Sequence, residues 1–335
     1  MRIDFSRVLR VTAGVGPPRP QCTILPMAFQ NKPPLRIASF LPAATEMVYA
    51  LGAERTLIAV TQGCDHPPEA RTKPIVVRPN LGPSLDPASI DQSVREKLQG
   101  GESLYTLDED LLRELHPDLI LAQDLCQVCA PSGKDAAAWV ASLDPVPDVF
   151  PFSPRSFEDV LLGVVALGER LGRKDLASGL VAQARTRIER VRMVVAPHPP
   201  QEVFFMEWVD PVFCAGHWIG EMVAWAGGRD PFARPAEDSR RVPWEEVLHR
   251  APEVLVIAPC GFGVEQARVQ ARALSTRPGW GNLPAVKQKK VFLADGNAYF
   301  TRPSLRLVEG LELLAHLFQP QAFPWEGSPG AFSRL

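Results

Sequence analysis

The chain is expected to fold as an α/β protein of two related lobes, each built on a mostly parallel sheet, and three observations carry that expectation. Short apolar runs alternate with helical patterns from residue 35 onward. One long helical stretch, residues 156–195, interrupts the alternation near the middle. Two segments of the first half then return in the second, in the same order: "ATEMVYALG" at 44–52 is echoed by "IGEMVAWAGG" at 219–228, and "LRELHPDLILAQ" at 112–123 by "VLHRAPEVLVIAP" at 247–259.

Taken in order, residues 1–34 read as a leader or disordered tail. In the first lobe, residues 35–155, "LRIASFLP", "TLIAVTQG", "DLILAQ" and "DVFPFS" read as strands, and "AATEMVYALG", "DQSVREKL" and "LDEDLLRELH" as the helices between them. Residues 156–195 form the connecting helix, with a break expected near Gly172, and "APHPP" closes it. The second lobe, 196–320, opens with the strand "QEVFFMEWV", and 321–335 reads as a tail.

At 335 residues, 46% hydrophobic and 22% charged, the chain has room for two ordinary domains. A net charge of −2 with no basic stripe argues against nucleic acid and against a membrane surface as partners. Arg7 and Arg10 interrupt the apolar core that a secretory signal needs, so the sequence as written reads as cytoplasmic; Met27 is a second candidate start, and a misassigned start that hides an export signal would reopen a periplasmic or surface location. No stretch is apolar for long enough to span a bilayer, so membrane insertion is not expected.

Ligands of parallel α/β sheets bind beyond the carboxyl ends of the strands. The loops that follow the strands here are "LPAAT", "TQGCDHPP", "RPNLGP", "AQDLCQVCAPSG", "EWVDPVFCAGHW", "APCGFG" and "DGNAYFTRPS". They would gather Cys64, Asp65, His66, Cys126, Cys129, Trp208, Cys214, His217, Trp218, Cys260, Phe262, Asn297, Tyr299 and Arg302 in one cleft between the lobes.

Cys126 and Cys129 admit three readings. A redox pair should open a helix, and Pro131, Ser132 and Gly133 read instead as a loop. A metal ion could take Cys64, Cys126, Cys129 and Cys260, although no second Cys-x-x-Cys completes the set. The third reading makes them the wall of a pocket for a large, partly flat ligand, which the aromatic loops and Arg302 would suit.

No Gly-x-Ser-x-Gly elbow, His-Glu-x-x-His or phosphate-binding loop is present. Asp65, beside Cys64 and His66, reads either as a general base or as a turn former ahead of two prolines. A metal-dependent cytoplasmic enzyme using the Cys/His cleft is the alternative function.

"RIASFLPAATEMVYALG", "LIAVTQGCDHPPEA", "LHPDLILAQ", "RVPWEEVLHRAPEVLVIAPCG" and "DGNAYFTRPSLRLVEGLELLAHL" together resemble the cobalamin-binding proteins of vitamin B12 import. These belong to the helical-backbone (class III) substrate-binding proteins of ABC transporters, which also carry iron siderophores and haem. The resemblance runs in order from about residue 35 to 320. It implies two Rossmann-like lobes joined by a long rigid helix, cobalamin or a related corrinoid or metal chelate in the cleft, and no catalysis. It also implies an ABC permease as partner, docked by an exposed glutamate on each lobe, for which Glu46 matches the first and Glu221 is the candidate from the internal echo. The thiol-rich loops are similar to those of a leaderless subgroup described as cobalamin-binding.

Overall fold

The computed structural model describes residues 35–335 except 83–85, 124–129 and 132. The first lobe contains β1 (Ile37–Ser39), α1 (Pro42–Ala50), β2 (Leu57–Thr61), β3 (Ile75–Pro79), α2 (Pro87–Gln99), β4 (Tyr105–Leu107), α3 (Glu109–Leu115), β5 (Leu119–Ala122), α4 (Gly133–Ala141) and β6 (Asp148–Pro151). Its sheet has the order β4-β3-β2-β1-β5-β6, parallel except for β4 against β3. The strand order reverses between β1 and β5, where Ile37 lies opposite Leu119. Such a switch point leaves a crevice at the carboxyl ends of the strands.

Two helices, α5 (Phe157–Arg170) and α6 (Lys174–Val195), link the lobes. Ser156 and Asp159 close a reciprocal capping box at the start of α5. Gly172 sits at φ +67°, a conformation that L side chains rarely adopt, and the helical stretch breaks there as its sequence implied. A Cβ on Gly168 would lie 2.4 Å from the Cβ of Ala177, so the absence of a side chain is what lets α5 and α6 approach. At 1.5 Å per residue, α6 is a rod of about 33 Å.

The second lobe contains β7 (Gln201–Val209), β8 (Val212–Cys214), α7 (Ile219–Trp225), β9 (Gly228–Arg229), β10 (Arg240–Arg241), α8 (Trp244–Arg250), β11 (Val254–Ile257), α9 (Val264–Ser275), α10 (Pro284–Lys287), β12 (Val291–Ala294), α11 (Gly296–Tyr299), α12 (Leu307–Phe318) and β13 (Phe332–Arg334). Its sheet runs β10-β8-β7-β11-β12-β13, with β9 pairing β7. The expected C-terminal tail is therefore corrected: Phe332, Ser333 and Arg334 pair antiparallel with β12. Three residues are too few for a period-2 pattern to show.

The internal echo has a structural counterpart. Both α3 and α8 end on a left-handed residue, His116 (φ 42°) and Ala251 (φ 47°), each followed by a proline and then by a buried central strand, β5 or β11.

One apolar core runs through both lobes by way of the linking helices, from Ile37, Met47 and Leu121 through Val160, Leu167 and Ile188 to Phe205, Phe300 and Leu314. Arg187 of α6 grips the Glu312 carboxylate of α12 at 2.9 and 2.6 Å, a fork-to-fork pair that adds direction to that packing. Smaller cores cover the far face of each sheet. A continuous core of this kind resists hinge motion, because interiors are close-packed rather than fluid.

Candidate functional site

The carboxyl ends of the strands of the two lobes face a cavity of about 550 Å³. The first lobe contributes Phe40, Leu41 and Pro42 after β1, Gln62 and Gly63 after β2, and Gln123 after β5; one face of α2 adds Ile90, Asp91 and Val94. The second lobe contributes Glu207 and Trp208 at the end of β7, Cys260 and Phe262 after β11, and Asn297, Arg302 and Pro303 after β12. The Trp208 and Phe262 rings pack at 5.8 Å with 42° between their planes. The Trp208 indole N–H donates to the carbonyls of Pro87 (3.2 Å) and Asp210 (3.1 Å), so this aromatic wall also touches the opposite lobe.

A recess of about 50 Å³ shares part of this lining. It is bounded by Gln123, Glu207, His217, Trp218, Ser239, Cys260 and Thr301, among others. Glu207 accepts from the Gly216 backbone N–H at 3.3 Å and the Ser239 hydroxyl at 3.4 Å. His217 Nε2 lies 3.1 Å from Asp238 Oδ1. Burial holds the His217 imidazole below its ordinary pKa despite Asp238, so the ring is neutral at pH 7.

Arg302 does not present a free guanidinium. Its Nη1 donates to Glu46 Oε1 (2.9 Å) and Asp65 Oδ1 (2.5 Å), and its Nη2 to the Gly63 carbonyl (2.9 Å) and Asn297 Oδ1 (2.7 Å). Asn297 Nδ2 in turn donates to Asp65 Oδ2 at 3.2 Å. Burial works against ionisation of Asp65, but the hydrogen bond and charge of Arg302 outweigh it and hold the carboxyl below the usual range. With its side chain 9% exposed, Arg302 fastens the two lobes together at the edge of the cavity.

Of the residues singled out from sequence, Trp208, Cys260, Phe262, Asn297 and Arg302 line the cavity, and His217, Trp218 and Cys260 line the recess. Cys64 is corrected to a core residue: it is 2% exposed, with its sulfur 3.1 Å from the Thr45 hydroxyl and 3.3 Å from that of Thr61. Tyr299 is likewise buried, edge-on to Trp325 and beneath the Arg306 guanidinium. Asp65 reaches the cavity through Arg302 and Asn297, and half-buried His66 is not part of either lining. Cys126 and Cys129 lie outside the described residues. Among the described residues, no group of three or more His, Cys, Asp or Glu is placed to hold a metal ion.

The exposed-glutamate expectation does not match the geometry. Glu46 is 6% exposed, and its carboxylate also accepts from the Ser304 hydroxyl at 2.6 Å and faces Arg306 at 3.5 Å. Glu221 is half-buried and accepts the Phe157 backbone N–H at 2.8 Å, capping α5. Glu221 stands in the first turn of α7, whereas Glu46 lies one turn into α1, past its first turn, and a sequence cannot show that the space beside either acid is filled by a distant segment.

Sequence reasoning missed Glu207, Gln123, Ser239 and Asp91. A single acid near the end of the apolar strand "EVFFMEWV" was the available signal for Glu207. Asp91 carried none, being one of several charges on a largely exposed helix.

This architecture is that of a two-lobed α/β binding protein with its ligand cavity between the lobes. A family described as "Periplasmic binding protein" matches residues 37–298. The chain belongs to that family. An uncharacterized ABC transporter substrate-binding lipoprotein of Bacillus subtilis, YvrC, is 23% identical over 303 residues, covering 88% of this chain and 82% of the relative. A vitamin B12-binding protein of Photorhabdus laumondii is 26% identical over 238 residues, 70% of this chain and 74% of the relative. Among solved structures, a periplasmic heme binding protein from Pseudomonas aeruginosa superposes with a TM-score of 0.68 at 20% identity, over 90% of this chain and 98% of that one. The relatives are substrate-binding proteins and not enzymes, which sets aside the metal-dependent enzyme. No helix among the described residues is long and apolar enough to cross a membrane.

Proposed function

We propose that this protein binds cobalamin or a related corrinoid in the interlobe cavity and presents it to an ABC permease. The observation that carries the reading is the cavity itself: about 550 Å³ between two lobes, walled by Phe40, Ile90, Trp208, Phe213 and Phe262, with a few polar groups at its inner edge. Large, partly flat ligands are held by such walls, and polar groups fix their orientation. The vitamin B12-binding relative supports the corrinoid, and the transporter-type lipoprotein supports the permease. The description of the family as periplasmic supports work outside the cytoplasmic membrane, and fractionation of the producing cell tests this.

The cargo's cobalt adds a role for thiols. Cys260 borders both the cavity and the recess, and soft ligands favour such ions, so a thiolate is assigned as a cobalt ligand. Cys126 and Cys129 are kept as further candidates.

The test is a visible-absorbance titration of the reduced protein with hydroxocobalamin, followed by desalting. Colour retained at one equivalent per chain supports the reading, and a spectral shift abolished by Cys260→Ser or by Cys126→Ser/Cys129→Ser identifies the thiol. Free passage of hydroxocobalamin, with retention of haemin instead, would move the assignment to haem.

A further inference from the structure

We infer that α2 is a gate over the cavity: it is latched to the second lobe by contacts that open without stranding a charge, and a ligand enters and leaves as α2 swings aside. The inference rests on the reading of the cavity as a ligand site and deepens it by giving the route in and out.

The lobes themselves do not offer that route. One core runs through both of them, and the buried Arg302–Glu46 pair ties them, so parting them would leave a buried charge without its partner. The helix α2 is a different kind of wall. Ile90, Asp91, Ser93 and Val94 border the cavity, while Ala88, Gln92, Arg95 and Glu96 are exposed, so one helix thickness separates ligand from solvent. Within the helix only Pro87 is buried, and α2 has sparse contact with the other described helices and strands. Elements with so little apolar packing open readily. Asp86 caps the helix by accepting the Ser89 backbone N–H at 2.8 Å, which keeps its first turn intact. Gly100 and Gly101 follow α2, the second at φ +72°, and provide the end on which it can turn as a unit.

Polar contacts hold α2 to the second lobe. The Arg241 guanidinium donates to both Asp91 oxygens, at 3.0 and 3.1 Å, and the Trp208 indole N–H donates to the Pro87 carbonyl at 3.2 Å. Each side chain keeps a partner on its own side when these contacts open. Asp91 keeps Arg95, 2.8 Å away and one turn along α2. Arg241 keeps the Phe213 ring, whose centroid lies 5.6 Å from the guanidinium carbon, and the Trp208 N–H keeps the Asp210 carbonyl at 3.1 Å. The Pro87 carbonyl turns to water. Closure is favoured in turn by Ile90 and Val94, which leave water for the apolar cavity or the ligand in it. The molecule thus pairs a fixed lock, Arg302 with Glu46, with a latch that can open and close.

The test is stopped-flow mixing of the intact, reduced chain with hydroxocobalamin, with association and release measured separately in wild type, Arg241→Ala and Arg241→Lys. Loss of a latch raises the fraction of time the gate stands open. Arg241→Ala is therefore expected to raise both rate constants by about two- to five-fold and to leave Kd within about two-fold. Arg241→Lys, which keeps the charge, is expected to stay closer to wild type. Faster release with unchanged association would make the pair a plain ligand clamp and overturn the gate, as would rates that do not move. Hydrogen exchange of the ligand-free chain gives a second reading: the amides of residues 87–99 should exchange about two- to five-fold faster in Arg241→Ala, while those of α5 and α6 keep their rates. Unchanged exchange across α2 overturns the inference even if the corrinoid binds. If hydroxocobalamin does not bind, the corrinoid reading falls and the exchange result alone decides on the gate.

Discussion

Arg302 Nη1 lies 2.9 Å from Glu46 Oε1, joining residues 256 positions apart across the two lobes, and both side chains are buried. Removing one member of such a pair leaves the other as an uncompensated buried charge, typically at a cost of about 3–5 kcal/mol. Arg302→Met is accordingly expected to lower the urea midpoint sharply. Glu46→Gln, which keeps a neutral acceptor for Arg302 and Ser304, should cost less. Equal, small losses in the two variants would show that the pair does not fasten the lobes.

Trp208 and Phe262 form the aromatic wall of the cavity. Truncating either to alanine should weaken corrinoid binding by about 1.5–3 kcal/mol, the transfer value of one large apolar side chain, or roughly ten- to hundred-fold in Kd. Trp208→Ala also gives up the hydrogen bond to the Pro87 carbonyl, so its effect should be the larger. Isothermal titration calorimetry with hydroxocobalamin measures both, and unaltered affinities would take these rings out of the site.

Arg241 holds Asp91 of α2 at 3.0 and 3.1 Å from the opposite lobe. The Arg241 side chain is half-exposed, so the pair is worth about 0–1 kcal/mol and contributes little to global stability. Arg241→Ala should leave the melting temperature in place while accelerating ligand release by up to about five-fold, as a clasp between α2 and the second lobe would. Stopped-flow displacement reads the rate. A slower release, or a large fall in melting temperature, contradicts this account.

Gln270 of α9 is 1% exposed, and among the described residues neither its amide nitrogen nor its amide oxygen has a partner. Each buried, unsatisfied polar group costs about 1–3 kcal/mol. Gln270→Met, of similar length and without the amide, is expected to stabilise the second lobe by about 1–2 kcal/mol. A calorimetric melting point that falls instead would mean that the amide is satisfied in solution.

Asp230 accepts the backbone N–H groups of Phe205 and Phe232, both at 2.9 Å, while burial pushes its carboxyl up to about 6. A folded pKa above the unfolded one means that the native state binds the extra proton. The resulting stability is present below the unfolded value near 4 and is lost as pH rises through about 6. Relative to Asp230→Asn, which cannot titrate, wild type should hold its largest advantage near pH 4 and lose part of it by pH 7. An advantage that grows with pH would reverse the sign and refute the assignment.

Much of the fold was legible because it rests on local periodicity. The apolar runs at 119–122 and 254–257 became central strands, and the helical pattern after Ser156 broke at Gly172. Short elements were not legible: β13 is three residues long and β9 two, below the length at which a pattern can repeat. The site was half legible. Loops that follow parallel strands must converge, so Trp208, Cys260, Phe262 and Asn297 could be placed at the cavity without coordinates.

The sequence by itself determined the two-lobed α/β class, the linking helices and the set of loops that meet at the cleft, because each follows from spacing along the chain. Only the tertiary structure decided which side chains in those loops face the cavity. Cys64 turned into the core between two threonine hydroxyls, Glu46 was claimed by an arginine far away in sequence, and Glu207, one acid in an apolar strand, came to border the recess. The reason is physical: periodicity assigns a residue to a face, but burial and charge pairing depend on partners that the chain brings up from a distance.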